Sequence, residues 1–246
     1  MRFLRPQEIP SYLERGLFDL GITGRDWIAE TGADLVSLGE LKYSKVTTNP
    51  VRVVLAVPEA APWRSVADLP EGIRISTELP ALTSRYLEEH GVKAMVVPSY
   101  GATEAKVPDI VDAIVDLTET GSSLRRNGLR ILDTLLTSYT ELVANAAAYG
   151  DADKRASMED IALLLRGAIE ARGNVLLKLN VPAAELAAVT AMLPALSSPT
   201  VTTLARGDMN AVETVVPKHS VNTLIPKLKA AGARDILSIP ISKIVK

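Results

Sequence analysis

The sequence predicts an α/β protein with more than one domain. Short apolar segments rich in β-branched residues alternate with amphipathic stretches over residues 1–172, as strands alternate with helices in an α/β fold. The 246 residues are enough for two or three small domains, and 47% of them are hydrophobic. We therefore expect a globular protein with a sizeable core.

The composition argues against several classes of function. A net charge of −2 gives no basic surface for nucleic acid, and an aromatic content of 4% leaves few rings for stacking on bases. There is no cysteine, and His90 and His219 lack the spacing of metal ligands. No apolar run has the length of a membrane span, and the N-terminal residues do not resemble a signal peptide. We expect a cytoplasmic protein with neither nucleic-acid nor membrane partners.

Residues 1–57 are predicted to form a first domain of alternating strands and helices. The segment Phe18–Thr23 is predicted as a strand, and Gly24 opens the helix that follows it. Gly21 and Gly24 lie near the C-terminal end of this strand, where ligands bind in open α/β sheets. The two glycines can equally serve close packing between strand and helix, and the sequence leaves both interpretations open. The apolar run at 51–57 is predicted as a buried strand of the same domain.

Residues 58–138 are predicted to form a second domain. Three prolines between residues 58 and 70 mark the crossover into it. Strands at 73–77 and 94–97 flank a helix at 80–90, which indicates parallel α/β organisation.

Residues 112–124 carry the strongest functional signal. The strand Ala113–Val115 is followed by a turn of small residues, Thr120–Ser123, and by a short helical segment that ends at Asn127-Gly128. The hydroxyls and backbone N–H groups of such a turn suit an anion, and Gly121 has no Cβ to block its approach. The pattern therefore predicts a phosphate-binding turn.

Two carboxylates, Asp112 and Asp116, bracket the strand. They are four residues apart, so both side chains are predicted to project from one face. Acids beside a phosphate have a purpose if they accept ribose hydroxyls or share Mg²⁺ with a pyrophosphate. These features together describe 5-phosphoribosyl 1-pyrophosphate (PRPP), with Asp112 and Asp116 as candidate metal ligands. An ordinary strand-to-loop junction with solvated acids is equally compatible with the spacing.

Three motifs resemble one enzyme family. D-A-I-V-D-L-x-x-T-G-x-x-L-x-x-N-G-L resembles the PRPP loop of the ATP phosphoribosyltransferases, which open histidine biosynthesis. G-x-x-D-L-G-I-T-G-R-D-W at 16–27 and G-A-T-E at 101–104 resemble further segments of that family. The resemblance implies a two-lobed catalytic region similar to type II periplasmic binding proteins. Residues 1–57 and 139–172 would form the first lobe, and residues 58–138 the second.

The resemblance also implies the chemistry. Enzymes of this family are glycosyltransferases of the pentosyl class, which condense ATP and PRPP, with Mg²⁺, to N1-(5-phosphoribosyl)-ATP and pyrophosphate. The implied PRPP-binding residues are Asp112, Asp116, Thr118, Glu119, Thr120, Gly121, Ser122, Ser123 and Glu104. The implied ATP-binding residues are Asp19, Gly21 and Gly24. No catalytic acid or base is assigned, because adenine N1 carries a free lone pair at neutral pH.

Residues 173–246 are predicted to form a separate C-terminal domain. Its strands and helices follow the β-α-β-β-α-β order of a ferredoxin-like fold. It resembles the regulatory domain of the long-form enzymes, in which histidine binds and inhibits. The matching motifs imply histidine contacts at Asn180, Leu196 and Thr200. A packing or oligomerisation domain is the alternative, and the resemblance implies a homo-oligomer, specifically a hexamer.

The chain departs from the family pattern at its front. Family members carry a strand and a loop of the type L-P-K-G-R-L ahead of the segment where this sequence starts. We therefore expect a first lobe that is incomplete at the N-terminus, with weakened binding of ATP. Two other classes of function remain: a catalytically impaired regulatory subunit that binds PRPP and histidine, and a periplasmic-type small-molecule-binding protein.

Overall fold

A computed structural model of the protein describes residues 1–42, 50–194, 198–205 and 207–245. The chain divides into two compact units, Met1–Glu159 and Asp160–Lys246. Within the described ranges, no helix combines the length and the apolar character needed to cross a lipid bilayer.

The first unit is built from helices and strands that alternate along much of the chain. In chain order they are α1 (Ile9–Glu14), β1 (Leu20–Gly24), α2 (Arg25–Thr31), β2 (Leu35–Glu40), β3 (Val51–Pro58), β4 (Ile73–Thr77), α3 (Pro80–Glu89), β5 (Ala94–Pro98), β6 (Ala113–Thr118), α4 (Ser122–Arg126), β7 (Leu129–Ser138), β8 (Thr140–Asn145), α5 (Ala146–Gly150) and α6 (Ala152–Arg172). The division between the two units falls inside α6, whereas the sequence predicts a domain boundary at residue 172.

Two sheets give the first unit its two lobes. The first lobe has a three-stranded antiparallel sheet in the order β1-β8-β2. The second lobe has a five-stranded sheet in the order β5-β4-β6-β3-β7, in which β5, β4 and β6 are parallel and β3 and β7 are antiparallel to their neighbours. The chain leaves the first sheet after β2 and returns to it at β8. The predicted two-lobed α/β region is therefore confirmed.

The placement of β3 corrects one prediction. Residues 51–57 were expected in the first lobe, but β3 pairs with β6 and β7 in the sheet of the second. Val53 to Val57 are all fully buried, because the strand lies inside the sheet and is covered on both faces. An apolar run of this kind predicts burial but does not identify the strands that pair with it.

The second unit contains the ferredoxin-like order predicted for the C-terminal domain. Its elements after α6 are β9 (Asn174–Pro182), α7 (Leu186–Thr190), β10 (Thr200–Thr203), β11 (Met209–Pro217), α8 (Val221–Ala230) and β12 (Arg234–Pro240). The antiparallel sheet has the order β10-β11-β9-β12. Alternate residues of β9 and β11 are buried in a core that also receives Val189 from α7 and Leu228 from α8. One face of the sheet is thus packed against helices.

Pro226 lies deeper in its helix than the sequence suggests. The penalty for proline predicts a helix start near Asn222, which would keep Pro226 in the first turn. The helix begins at Val221, one residue from the predicted start, after a 3₁₀ turn at Lys218–Ser220, but Pro226 lies in its interior and not in its first turn. The carbonyl of Asn222, which loses its partner N–H, belongs to an exposed residue, so water can satisfy it.

Candidate functional site

The parallel strands of the second lobe define an edge at which loops converge. Because β4, β5 and β6 run in the same direction, their C-terminal ends lie side by side. Ligands bind at this edge in open α/β sheets. Three connections start there: Glu78 leads to α3, residues 99–106 follow β5, and residues 119–121 lead into α4.

The turn from β6 to α4 is shaped by its own hydroxyl groups. The N–H of Gly121 donates to Thr118 Oγ1 at 2.8 Å, and the N–H of Ser122 points to Thr120 Oγ1 at 3.4 Å. Gly121 has a φ of +72°, in the left-handed region that favours glycine. The guanidinium of Arg125 donates to the carbonyl of Thr120 at 3.1 Å. The turn therefore presents small hydroxyl side chains, and its role as a phosphate site stays a prediction.

Glu104 joins this turn from the loop that follows β5. It belongs to the 3₁₀ turn Thr103–Lys106, and its Oε1 accepts a hydrogen bond from Ser123 Oγ at 2.8 Å. A hydrogen bond from its own backbone N–H and the one from Ser123 lower the pKa of Glu104, so it is ionised at neutral pH. Ala102, just before it, has a φ of +48° although it is not a glycine. Backbone strain of this kind is concentrated at ligand sites.

Asp116 lies on β6, in a different environment from Glu104. Burial raises the pKa of Asp116, and the negative charges of Glu104 and Glu78 raise it further. Within the described ranges, no Lys, Arg or His side chain forms an ion pair with it. The edge thus brings mutually repelling carboxylates together, an arrangement that favours a ligand with hydroxyl donors or a bound cation.

Asp112 is at the opposite end of the strand, which corrects a prediction. Asp112 and Asp116 do share a face by alternation, but they are separated by four residues, about 13 Å at ~3.3 Å per residue. Asp112 pairs with Arg74: Nη2 donates to Oδ1 at 2.7 Å and the backbone N–H of Arg74 donates to Oδ2 at 2.9 Å. These hydrogen bonds lower the pKa of Asp112. It therefore has a structural partner and cannot share a metal ion with Asp116.

The donor set at the edge suits a magnesium ion that arrives with a substrate. Oxygen ligands from carboxylates and hydroxyls are those that Mg²⁺ prefers, and Asp116 and Glu104 could supply them. Among the described residues, no group of three or more His, Asp or Glu side chains is arranged to hold a metal. Mg²⁺ typically binds through one or two carboxylates plus substrate phosphates, so two protein carboxylates are sufficient.

The residues predicted to bind ATP make contacts within the protein. Asp19 lies before β1, at the end remote from Gly24, and pairs with Lys154 at 3.0 Å. A Cβ on Gly21 would lie 2.9 Å from atoms of the side chains of Ile9 and Leu13, so the missing Cβ gives space to α1. A Cβ on Gly24 would lie 2.0 Å from Asp26 Oδ1. The packing interpretation of both glycines is thus the one that these contacts support.

A polar network beside these glycines was not predicted. Arg25 donates from Nε to Glu141 at 2.5 Å and from Nη2 to Glu40 at 2.8 Å, and Ser37 Oγ donates to Glu141 at 2.7 Å. Glu141 is buried, and Arg25 also lies over the ring of Tyr139. Arg25 and Glu141 are 116 residues apart, so no local spacing could have joined them.

The helix α2 connects the two lobes. At its start, Asp26 Oδ1 accepts a hydrogen bond from Ser138 Oγ at 2.7 Å, where β7 ends. Toward its end, the carboxylate of Glu30 accepts from the backbone N–H groups of Ala81 and Leu82 at 3.0 and 2.8 Å. The helix α3, whose own N-cap residue Leu79 supplies no side-chain cap, is therefore capped from the first lobe.

In the second unit, the structure describes two of the three residues predicted to contact histidine. Asn180 donates to Asp235 Oδ2 at 2.9 Å, and Thr200 is exposed on the edge strand β10. Both project from the face of the sheet opposite the helices, where Lys178 and Glu213 form an ion pair between them. Leu196 lies outside the described residues.

Comparison with known proteins gives a consistent result. The profile of the family described as HisG, ATP phosphoribosyltransferase, matches residues 5–167, and that of the HisG C-terminal domain matches residues 171–243. An ATP phosphoribosyltransferase of Chlorobium phaeovibrioides is 52% identical over 98% of this chain and 82% of its own length. One of Pelotomaculum thermopropionicum is 48% identical over 98% and 83%.

A solved structure with the same overall description is also similar. It is the ATP phosphoribosyl transferase (HisG:HisZ) complex from Thermotoga maritima, one chain of which is 33% identical with a TM-score of 0.58. The match covers 68% of this chain and 78% of that one.

Proposed function

The chain belongs to the ATP phosphoribosyltransferase family, and from this premise we infer that it joins ATP and PRPP to give N1-(5-phosphoribosyl)-ATP and pyrophosphate. Both family profiles match, and close relatives carry this name over nearly the whole chain. The reaction is a pentosyl transfer that opens histidine biosynthesis. The observation that carries the inference is the turn from Thr118 to Ser123 at the C-terminal edge of parallel strands.

The chemistry requires little more than the alignment of ATP with PRPP. Adenine N1 displaces pyrophosphate at ribose C1, and N1 is already unprotonated at neutral pH. The protein therefore acts by holding the two reactants in line and by stabilising the charge that develops on the departing pyrophosphate. When bound, Mg²⁺ supplies part of that charge stabilisation.

We propose distinct roles for the residues at the edge. The hydroxyls and N–H groups of Thr118 to Ser123, including Glu119 through its backbone, hold a phosphate of PRPP. Asp116 and Glu104 accept the ribose hydroxyls or bind the Mg²⁺ that accompanies the pyrophosphate. The contact between Ser123 and Glu104 holds the two loops together until the ribose replaces it. Asp112 has no part in the site, because Arg74 occupies it.

Three further parts of the proposal rest on the family resemblance. Asp19, Gly21 and Gly24 would face ATP, although their present contacts are with the protein itself. Free histidine would bind the second unit near Asn180, Leu196 and Thr200 and inhibit the enzyme. The chain would act as a homo-oligomer, a hexamer, in the cytoplasm.

Product analysis tests the proposed function. The purified chain with ATP, PRPP and Mg²⁺ should release pyrophosphate and form a product with the mass of phosphoribosyl-ATP, and omitting either ATP or PRPP should abolish both signals. Glu104→Gln should lower kcat/KM for PRPP roughly 10-fold or more, the effect of weakening charge-assisted contacts. The control Glu89→Gln alters an exposed acid at the end of α3 and should change nothing.

The same assay separates the alternatives. A catalytically impaired regulatory subunit would bind PRPP and histidine without forming product, and a small-molecule-binding protein of the periplasmic type would do neither. Loss of inhibition by histidine in the otherwise active enzyme would remove the regulatory part of the proposal alone.

A further inference from the structure

Arg52 is a charged residue in an otherwise apolar strand. The strand β3 reads V-R-V-V-L-A-V-P, and it lies between β6 and β7 inside the sheet of the second lobe. Arg52 is directly opposite Thr118 on β6, the first residue of the phosphate-binding turn. Directly opposed residues of antiparallel strands project from the same face, with their Cβ atoms about 5 Å apart. The side chain of Arg52 therefore leaves the sheet beside that turn.

The same face carries Asp116. Val54 is opposite Asp116 and Ala56 is opposite Ile114, so this face changes from apolar to polar toward the edge. Val54, Ala56 and Ile114 are buried beneath Leu124 of α4, whereas Asp116 and Arg52 are only partly buried. Arg52 thus lies just beyond the cover of α4, on the side where a ligand would approach.

The guanidinium of Arg52 has no partner in the described part of the chain. No hydrogen bond or ion pair of its side chain is found there. Other arginines of this lobe are engaged: Arg74 pairs with Asp112, and Arg130 donates to the carbonyls of Ala61 and Trp63. Removing a charge partly from water without a counter-charge costs free energy. The cost is explained if the counter-charge is supplied by a ligand.

We propose that Arg52 binds a phosphoryl oxygen of the phosphoribosyl donor held at the turn Thr118–Ser123, an inference that rests on the proposed function. A guanidinium presents two parallel N–H groups that match two oxygens of a phosphate. The donor carries a 5′-phosphate and a pyrophosphate, and the two share this chemistry. Arg52 also supplies the positive charge that offsets Asp116 and Glu104, which would otherwise repel an anionic substrate.

Arg52→Met is the decisive variant, with Arg52→Lys and Arg126→Gln beside it. Arg126→Gln removes an equal charge from an exposed position on α4 and serves as the control. Binding of PRPP, pyrophosphate, ribose 5-phosphate and ATP is measured by calorimetry on the full chain. We expect Arg52→Met to weaken the binding of PRPP at least 10-fold and the binding of ATP less than twofold. Arg52→Lys should retain part of the affinity for PRPP. If Arg52→Met binds pyrophosphate more weakly, Arg52 contacts the pyrophosphate of the donor. If it binds ribose 5-phosphate more weakly, Arg52 contacts the 5′-phosphate.

Thermal unfolding without ligand separates this role from a structural one. Because the side chain of Arg52 has no partner among the described residues, Arg52→Met should unfold at the same temperature as the wild type or higher. Failure to fold, or a clear fall in the unfolding temperature, would mean a structural role and would overturn the proposal. The proposal is equally overturned if Arg52→Met binds PRPP normally, if neither anionic probe is weakened, or if Arg126→Gln has the same effect. If the wild-type chain binds pyrophosphate but not PRPP, the proposed function is refuted instead. The contact between Arg52 and a phosphoryl oxygen can then still be tested by measuring the binding of pyrophosphate to Arg52→Met.

Discussion

The turn from β1 to α2 and the turn from β6 to α4 both pass through a glycine at the C-terminal end of a strand. In the first, the space beside Gly24 is filled by the carboxylate of Asp26, and the N–H of Asp26 is bonded to Ser138 Oγ at 3.1 Å. In the second, a Cβ on Gly121 would lie 3.2 Å from Arg125 Nη1, the far end of a flexible side chain.

The difference between the two turns shows what a glycine pattern can predict. A strand, a glycine turn and a helix start give the geometry for an anion, but the protein's own side chains can use that geometry first. The turn beside β1 is closed by the buried pair Asp26 and Ser138, whereas the turn beside β6 carries the small hydroxyls of Thr118, Thr120 and Ser122 and has the flexible side chain of Arg125 beside it. Substitutions that act on one turn and spare the other test this distinction.

The largest effect is expected from Asp116→Asn. Loss of a carboxylate that contacts ribose or magnesium should weaken the binding of PRPP by about 1–3 kcal/mol, roughly 5- to 150-fold, as measured by calorimetry. Asp112→Asn, four residues away, should leave PRPP affinity within about twofold, because that carboxylate pairs with Arg74. Equal losses in the two variants would contradict the assignment of the site to one end of the strand.

The glycines provide the second comparison. Gly21→Ala places a Cβ 2.9 Å from the side chains of Ile9 and Leu13, and overpacking of this kind costs about 1–3 kcal/mol of unfolding free energy. PRPP affinity of the folded variant should not change. Gly121→Ala should lower the unfolding free energy by about 1 kcal/mol, because alanine is strained at a φ of +72°. Unlike Gly21→Ala, it should also weaken the binding of PRPP. Denaturant unfolding measures the stability of both variants, and calorimetry measures their affinity for PRPP. A Gly21→Ala variant with normal stability and weak binding of PRPP would contradict the packing role of Gly21.

The smallest effects concern the pH dependence of stability. The folded pKa of Asp112 is lowered, so its contribution to stability is present above the ordinary carboxyl pKa and is lost as pH falls through the folded pKa. Asp112→Asn should therefore cost at most about 1 kcal/mol at neutral pH and nothing in strong acid.

Asp116 affects the pH dependence of stability in the opposite direction, because its pKa in the folded state is raised. The folded state then binds more protons than the unfolded state between the two pKa values, and stability falls as pH rises through that window. Asp116→Asn should be as stable as the wild type or more stable at neutral pH. Chemical unfolding of both variants at neutral and acidic pH measures the difference, and a matching loss of stability at neutral pH would contradict it.

Local sequence patterns predict strands, helices and turns better than they predict which strands or side chains pair with one another. The order of strands and helices in the second unit and the turn at Thr120–Ser123 follow from neighbouring residues, and the structure contains both. The pairing of β3 could not be predicted, because any strand rich in valine and leucine can be buried in either sheet. The ion pair of Arg74 with Asp112 joins residues 38 positions apart, so alternation alone placed Asp112 on the right face at the wrong end.

The position of β8 has a consequence for the order in which the protein acquires its fold during synthesis. β8 is the middle strand of the first sheet, and Gly24 pairs with Thr140, so β1 and β2 have no common neighbour until synthesis has passed residue 140. The strands of the second lobe lie between residues 51 and 138 and can pair among themselves earlier. Long-range pairing is slow because the loop must close before any contact forms. The strands β1 and β2 of the first lobe are therefore synthesised first, but the second lobe is able to fold before the first lobe is complete.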